Sequence, residues 1–278
     1  MNILNKDHKI IIRPQQNIVD CFREIFSSRD VLFMLAWRDI QVRYKQTALG
    51  FAWSLLRPLL TMSVFVIVFG KVAHLPSEGI PYPLLVLAAL LPWMFFSHTL
   101  TIGASALIDN APMLRRTYFP RIIMPMASVG IHLSDFIISF LLFSGLACYY
   151  HFSMDLRVLL LPFFMIHMIL LTLGTAYILS IMAARWRDVI YVTPFLVQIG
   201  FFVSPIGYTT SLIPDNLKLF FYFNPLVGLV EAFRWSLLAG KVLVHWDAYA
   251  ISLGISLSVF MIGSVFFIRS EPKVIDIL

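Results

Sequence analysis

The chain is expected to be an all-α integral membrane protein: six transmembrane helices, an amino-terminal amphipathic interface helix, and a periplasmic re-entrant helical hairpin between spans five and six. Three observations predict it. Hydrophobic residues make up 59% of the 278 and charged residues only 13%, far less charge than a soluble domain of this length carries. Apolar runs close to the ~20 residues that a spanning helix needs recur along the chain. Lys and Arg gather between alternate runs.

Residues 1–57 form the first, cytoplasmic unit, and residues 58–278 the six-span domain. No h-region or small-residue cleavage site stands in the first fifty or so residues, so no secretory signal is expected there. Ser27, with Asp30 three residues on, resembles a capping box. Behind it Leu32, Ala36 and Ile40, with Phe33 and Trp37 beside them, recur at helical spacing, while Arg38, Asp39, Arg43 and Lys45 fall on other faces. Such a helix suits the cytoplasmic interface, its apolar side in lipid or against the spans. The same residues also suit a plain positively charged topology anchor, and spacing alone leaves both open.

The first span is expected over Pro58 to His74. It is the shortest, borrowing Trp53 to Leu56 and the snorkelling Arg57 and Lys71. The second runs Leu84 to Ile108, the third Ile122 to Tyr150, the fourth Val158 to Ala184, the fifth Val189 to Tyr208 and the sixth Ala248 to Ile268. Asp135 stands deep in the third. It is either a gating or proton-relay carboxylate, or a structural acid paired with His132 one turn away or bonded to Ser134 or Ser139.

Leu212 to Gly240 is strongly apolar, yet Pro214, Asn224-Pro225 and Gly228 interrupt it and Asp215, Lys218, Glu231 and Arg234 are scattered through it. It is too broken to span and too apolar for water. Two short helices dipping into the outer leaflet fit, provided they pack on protein or line a wet cavity. Asn224 is placed to cap the second with Pro225 at its first position. Glu231 and Arg234, three apart, share a face on which they can pair.

Orientation follows from the cations. Sixteen of the 21 Lys and Arg lie in the amino-terminal segment, the second-to-third loop (Arg115, Arg116, Arg121), the fourth-to-fifth loop (Arg185, Arg187) and the tail (Arg269, Lys273). Five lie on the other side, at Lys71, Arg157, Lys218, Arg234 and Lys241. Both termini are therefore expected in the cytoplasm. The net charge of +6 reflects this bias and anionic headgroups, with no call for nucleic acid.

Asp109 to Arg121 is a second cytoplasmic element. Asp109 or Asn110 can cap a short helix at Pro112, and Pro120 and Pro125 mark the return to the membrane. Cys21 and Cys148 are expected on opposite sides and lack metal-ligand spacing, and the seven histidines are scattered without an H-E-x-x-H pattern, so no metal site is expected. Both Gly-Lys pairs, Gly70-Lys71 and Gly240-Lys241, precede Val, so the chain has no phosphate-binding loop of its own.

The run Trp37-Arg38-Asp39, Arg43-Tyr44-Lys45-Gln46, Leu49-Gly50, Trp53, Pro58 is followed by Gly79-Ile80-Pro81-Tyr82-Pro83, Leu90-Leu91-Pro92-Trp93 with Phe95-Phe96, and Asn110, Leu114-Arg115-Arg116, Phe119-Pro120. Together these resemble the permease subunits of type-2 ABC exporters for bacterial polysaccharides, most nearly the O-antigen permeases of the Wzm type. Capsule and teichoic-acid permeases share parts of the pattern.

The resemblance implies a homodimer in the bacterial inner membrane. It implies two copies of a separate ATPase that binds ATP and Mg, no cofactor and no enzymatic chemistry in this chain, and export of an undecaprenyl-diphosphate-linked O-antigen to the periplasm. It places ATPase coupling at Arg38, Asp39, Arg43, Tyr44, Asn110, Arg115 and Arg116. Arg115, Arg116 and Arg121 offer charge-assisted contacts to the lipid diphosphate at its entrance.

Aromatic rings suit a long repetitive glycan, because sugar faces slide along them without a unique hydrogen-bond pattern. Trp93, Phe96, Phe201, Phe202 and Tyr208, near Pro92, Pro194 and Pro205, are the channel candidates, with Tyr222 and Phe223 at an outer gate. Three other readings remain: an exporter of small amphiphiles, a membrane-embedded enzyme of lipid-linked sugars, and an ion-coupled transporter. The second lacks an Asp-rich metal motif or paired catalytic acids, and the third lacks further intramembrane acids.

Overall fold

The structure, a computed structural model, describes Glu24 and residues 26–45, 52–77, 79–117 and 119–275. Cys21, the cations of residues 1–23 and the Leu49-Gly50 part of the first motif lie outside the described residues, as do the side chains of Tyr44, Lys45 and Asp215. All the regular structure described is helical. In chain order it comprises α1 Arg29–Lys45, α2 Ala52–Phe65, α3 Tyr82–Asp109, α4 Ala111–Leu114, α5 Ile123–Tyr149, α6 Leu161–Arg185, α7 Val189–Val203, α8 Asp215–Tyr222, α9 Pro225–Leu237 and α10 Trp246–Ile275.

Among the described residues, five helices are long and apolar enough to cross a membrane: Ala52–Val72, Tyr82–Asp109, Ile123–Tyr149, Leu156–Arg185 and Trp246–Val274. This is a multi-pass membrane protein. The first begins at Ala52, so it takes in Trp53 to Arg57 and crosses the expected 57/58 boundary; its last seven residues, Val66–Val72, wind as a π-helix. The expected fifth span ends early. α7 stops at Val203 after 15 residues because Ser204, forced extended by Pro205 (φ −95°, ψ 144°), cannot continue a helix. Residues 204–208 are bends and not helix.

α3 is the centre of the bundle. Leu84 to Leu91 is buried without interruption, as expected of a helix apolar on every side, and α3 packs on α2, α5, α6, α7 and α9. α6 and α10 pack closely where Gly174 meets Phe260 and Gly263: a Cβ at Gly174 would lie 2.5 Å from the Phe260 Cα. Small residues permit such close approach between helices in lipid.

α9 is buried along nearly its whole length against α3, α6 and α10. That packing gives an irregular, proline-flanked apolar segment the protein cover it requires. Its start is as expected: the Asn224 carboxamide accepts from the Leu226 N–H at 3.1 Å and Pro225 holds the first turn.

α1 lies along α5. Its buried residue is Leu35, 1% exposed, whereas Phe33 and Trp37 are 72% and 53% exposed. Ser27 is itself in a helical turn, and Ser28, one position on, supplies the carbonyl to the Val31 and Leu32 N–H groups. Apolar residues surround this helix, so periodicity could not single out the face that packs.

Candidate coupling site and aromatic path

Arg38 joins α1 to the turn between α3 and α4. Its Nε and Nη2 donate to Asp39 Oδ1 at 2.7 and 2.6 Å, Nη2 also reaches Asn110 Oδ1 at 3.1 Å, and Nη1 approaches the Met113 sulfur at 3.7 Å. Two segments separated by 72 positions thus share one exposed polar surface. Asn110 precedes α4 as expected, but its side chain makes no cap bond: it accepts from Arg38 and donates to the Ala106 carbonyl at 2.9 Å. The Asp109 carboxylate is held by the Ser105 hydroxyl at 2.6 Å.

Arg115 and Arg116 are exposed beyond α4. Arg121 is not beside them in character. It is half-buried, and its guanidinium and backbone N–H meet Glu271 Oε1 at 3.2 and 3.4 Å, tying the loop to the end of α10. A guanidinium committed to a carboxylate is poorly placed to receive a diphosphate.

Arg43 faces inward. Its Nη1 lies 2.8 Å from Asp135 Oδ2, and Asp135 Oδ1 accepts from the Ser54 hydroxyl at 2.7 Å. The acid expected to pair with His132 or with Ser134 or Ser139 is therefore met from α1 and α2. Ser134 donates to the Gly130 carbonyl, and His132 Nδ1 faces the Ser128 carbonyl at 2.8 Å. Arg43, Ser54, Arg57, His98, His132 and Asp135 line one cavity of about 20 Å³.

The channel candidates divide. Trp93 and Phe96 are buried core residues 5.9 Å apart. Phe201 stands at 5.5 Å from Trp93, from which Phe202 follows at 5.6 Å, and Phe65 of α2 meets Phe201 edge-on at 5.5 Å and Phe69 at 5.2 Å. The result is a continuous run of rings across α2, α3 and α7. Phe65 and Phe69 were missed from sequence, though their four-residue spacing on the first apolar helix was the available signal. Tyr222 lies instead against His245, ring centroids 5.6 Å apart, and Phe223 is exposed.

Tyr208 contributes its backbone. Arg234, 1% exposed, donates to the Tyr208, Ile206 and Leu85 carbonyls at 2.8, 2.7 and 3.2 Å. Glu231, 2% exposed, accepts from the Thr210 hydroxyl and from the His245 N–H at 3.3 Å. The two charges that share a face of α9 therefore reach different segments: Arg234 pins the irregular run after α7 to α3, and Glu231 gathers the loops on either side of α8 and α9.

Comparison with known proteins decides the family. Residues 30–238 match the model of the ABC-2 type transporter membrane domain. The chain belongs to that family. Among its relatives, the O-antigen export system permease protein RfbA of Myxococcus xanthus is 32% identical over 76% of this chain and 82% of its own. RfbA of Klebsiella pneumoniae is 26% identical over 90% and 95%. The polysialic acid transport protein KpsM of Escherichia coli is 23% identical over 74% and 80%. The matched region of this ABC-2 permease takes in α1, the Asn110 turn, the ring run and α9, so both candidate sites fall within the family domain.

Proposed function

We propose that this chain is the membrane subunit of an ABC exporter that moves an undecaprenyl-diphosphate-linked O-antigen from the cytoplasmic to the periplasmic face of the bacterial inner membrane. Two copies form the permease, each with six spans, α7 and the bends after it supplying the fifth, and with both termini in the cytoplasm. A separate ATPase, also in two copies, binds ATP and Mg and docks on α1 and the Asn110 to Arg116 turn, using Arg38, Asp39, Asn110, Arg115 and Arg116. Arg115 and Arg116 attract the lipid diphosphate.

The observation that carries this reading is the Arg38 bridge. A soluble motor needs a rigid polar handle on the membrane domain, and the bridge unites the two elements that the charge distribution assigns to one side. The outward apolar faces of the first span (Leu60, Val64, Ile67) and α7 (Tyr191, Phe195, Phe202) give a second copy a surface to cover. The substrate class is supported by the names of the RfbA relatives.

Deletion of the gene should abolish surface O-antigen and leave lipid-linked glycan on the cytoplasmic face, with rescue by the intact chain. A normal surface glycan would overturn the proposal. The KpsM relative favours a second reading, capsule export; loss of capsule in place of O-antigen would select it.

A further inference from the structure

We propose that the Arg43–Asp135 ion pair is the joint through which movement of α1 is passed to the spans. This rests on the reading above, in which a docked ATPase drives the permease through α1.

Asp135 lies about 18 Å along α5 from its first residue, so the carboxylate is well inside the bundle. One of its oxygens is held by Arg43, near the end of α1, and the other by Ser54, in the first turn of α2. A single side chain therefore links the helix that leads toward the membrane, the helix that follows it, and the middle of a span. An apolar contact would let α1 slide, because hydrophobic contact has no direction. The opposite charges of Arg43 and Asp135 attract along the line joining them whichever way α1 moves, and the Ser54 hydroxyl adds a directional hydrogen bond to the other oxygen. The pair holds under both push and pull.

The surroundings fit a joint better than a ligand site. The cavity of about 20 Å³ has room for about one water and none for a diphosphate or a sugar. His98, His132 and Asp135 bring potential ligand atoms within 4.8 Å of one another, but the Arg43 and Arg57 guanidiniums line the same space. Their positive charge disfavours a cation bound there. The polar lining lets the pair shift by small amounts without meeting hydrocarbon.

Arg38 and Arg43 thus divide the labour of one helix: the first faces outward to the docking surface, the second inward to the spans. The test uses the full permease–ATPase complex in proteoliposomes with lipid-linked glycan. Arg43→Gln and Asp135→Asn should keep the ATPase bound at wild-type stoichiometry. Export should fall by about tenfold, with ATP hydrolysis no longer stimulated by the glycan. The exchange Arg43→Asp with Asp135→Arg should recover most of the loss.

Wild-type export in the single variants would overturn the joint, as would failure of the exchange together with an equal defect in Asp135→Glu. Loss of the ATPase from Asp135→Asn complexes would also overturn it, making the pair part of the docking face. Should the single variants not accumulate, Ser54→Ala keeps both charges and decides: a coupling defect at normal abundance supports the joint, and unchanged coupling refutes it. An ATPase that fails to bind the wild-type permease would refute the exporter reading instead.

Discussion

A side chain added at Gly130 would begin 2.7 Å from the Cβ of Ala36, so α1 rests on the bare backbone of α5. Helix contact this close is set by what is missing from Gly130, and it fixes the depth at which α1 sits.

Gly130→Leu should therefore lift α1 from α5 while leaving the spans inserted. Overpacking of this kind costs roughly 1–3 kcal/mol, which should appear as a lower melting temperature of the purified permease. Co-purification of the ATPase should weaken in parallel. An unchanged melting temperature would mean that α1 is held elsewhere.

Arg38→Glu should repel Asp39 and lose the Asn110 bond, separating α1 from the α3–α4 turn. Pull-down of the ATPase should fall at unchanged permease abundance. Asn110→Leu, which removes only a bond worth about 1 kcal/mol, should give a milder defect of the same kind.

Arg234→Met should be among the most damaging single changes outside the coupling region. It removes the guanidinium that meets the Ile206 and Tyr208 carbonyls in the bends after α7 and the Leu85 carbonyl of α3, and an uncompensated buried acceptor costs roughly 1–3 kcal/mol. Folded protein recovered from membranes should drop sharply. Glu231→Gln retains an acceptor for Thr210 and His245 and should lose no more than about 1 kcal/mol.

The run of rings can be sorted by abundance against transport. Trp93→Ala should lose folded protein, since a truncated core aromatic costs about 3–5 kcal/mol. Phe202→Ala, on a ring 69% exposed in one copy, should leave abundance intact and alter export. Tyr222→Ala should behave as Phe202→Ala does; a simple loss of protein would make that ring structural.

The five long helices were legible because spanning a bilayer imposes a length and an apolar composition that can be counted residue by residue. The Asn224 cap was legible for a similar reason: it is local chemistry. What failed was partner choice. Glu231 and Arg234 have the spacing of a helical pair, but burial gave each a better-placed partner from a distant segment. Asp135 had three candidates within four residues and was met by Arg43, 92 positions earlier. Of the residues expected to couple, Arg38, Asp39 and Asn110 come together as one cluster, whereas Arg43 belongs to the interior; Arg121, expected at the diphosphate entrance, belongs to the α10 contact. The end of α7 was available from Ser204-Pro205, but the apolar run past it concealed the break.

Topology is testable at Cys148, exposed near the end of α5. An impermeant maleimide applied to intact cells should label it and a cysteine placed at Asp155, and should not label one placed at Arg115. The opposite pattern would invert the molecule.

With 15 residues, α7 has an apolar length of about 22 Å, against a hydrocarbon layer of about 30 Å. In the proposed six-span arrangement, lipid beside this helix would compress toward it, at a fraction of a kcal/mol for each ångström of mismatch. Nine of its fifteen residues are exposed in a single copy. That elastic cost is relieved when another protein surface replaces the strained lipid. In the proposed dimer the bilayer's own stiffness would therefore favour bringing two short walls together, and a membrane of different thickness would change how firmly they stay joined.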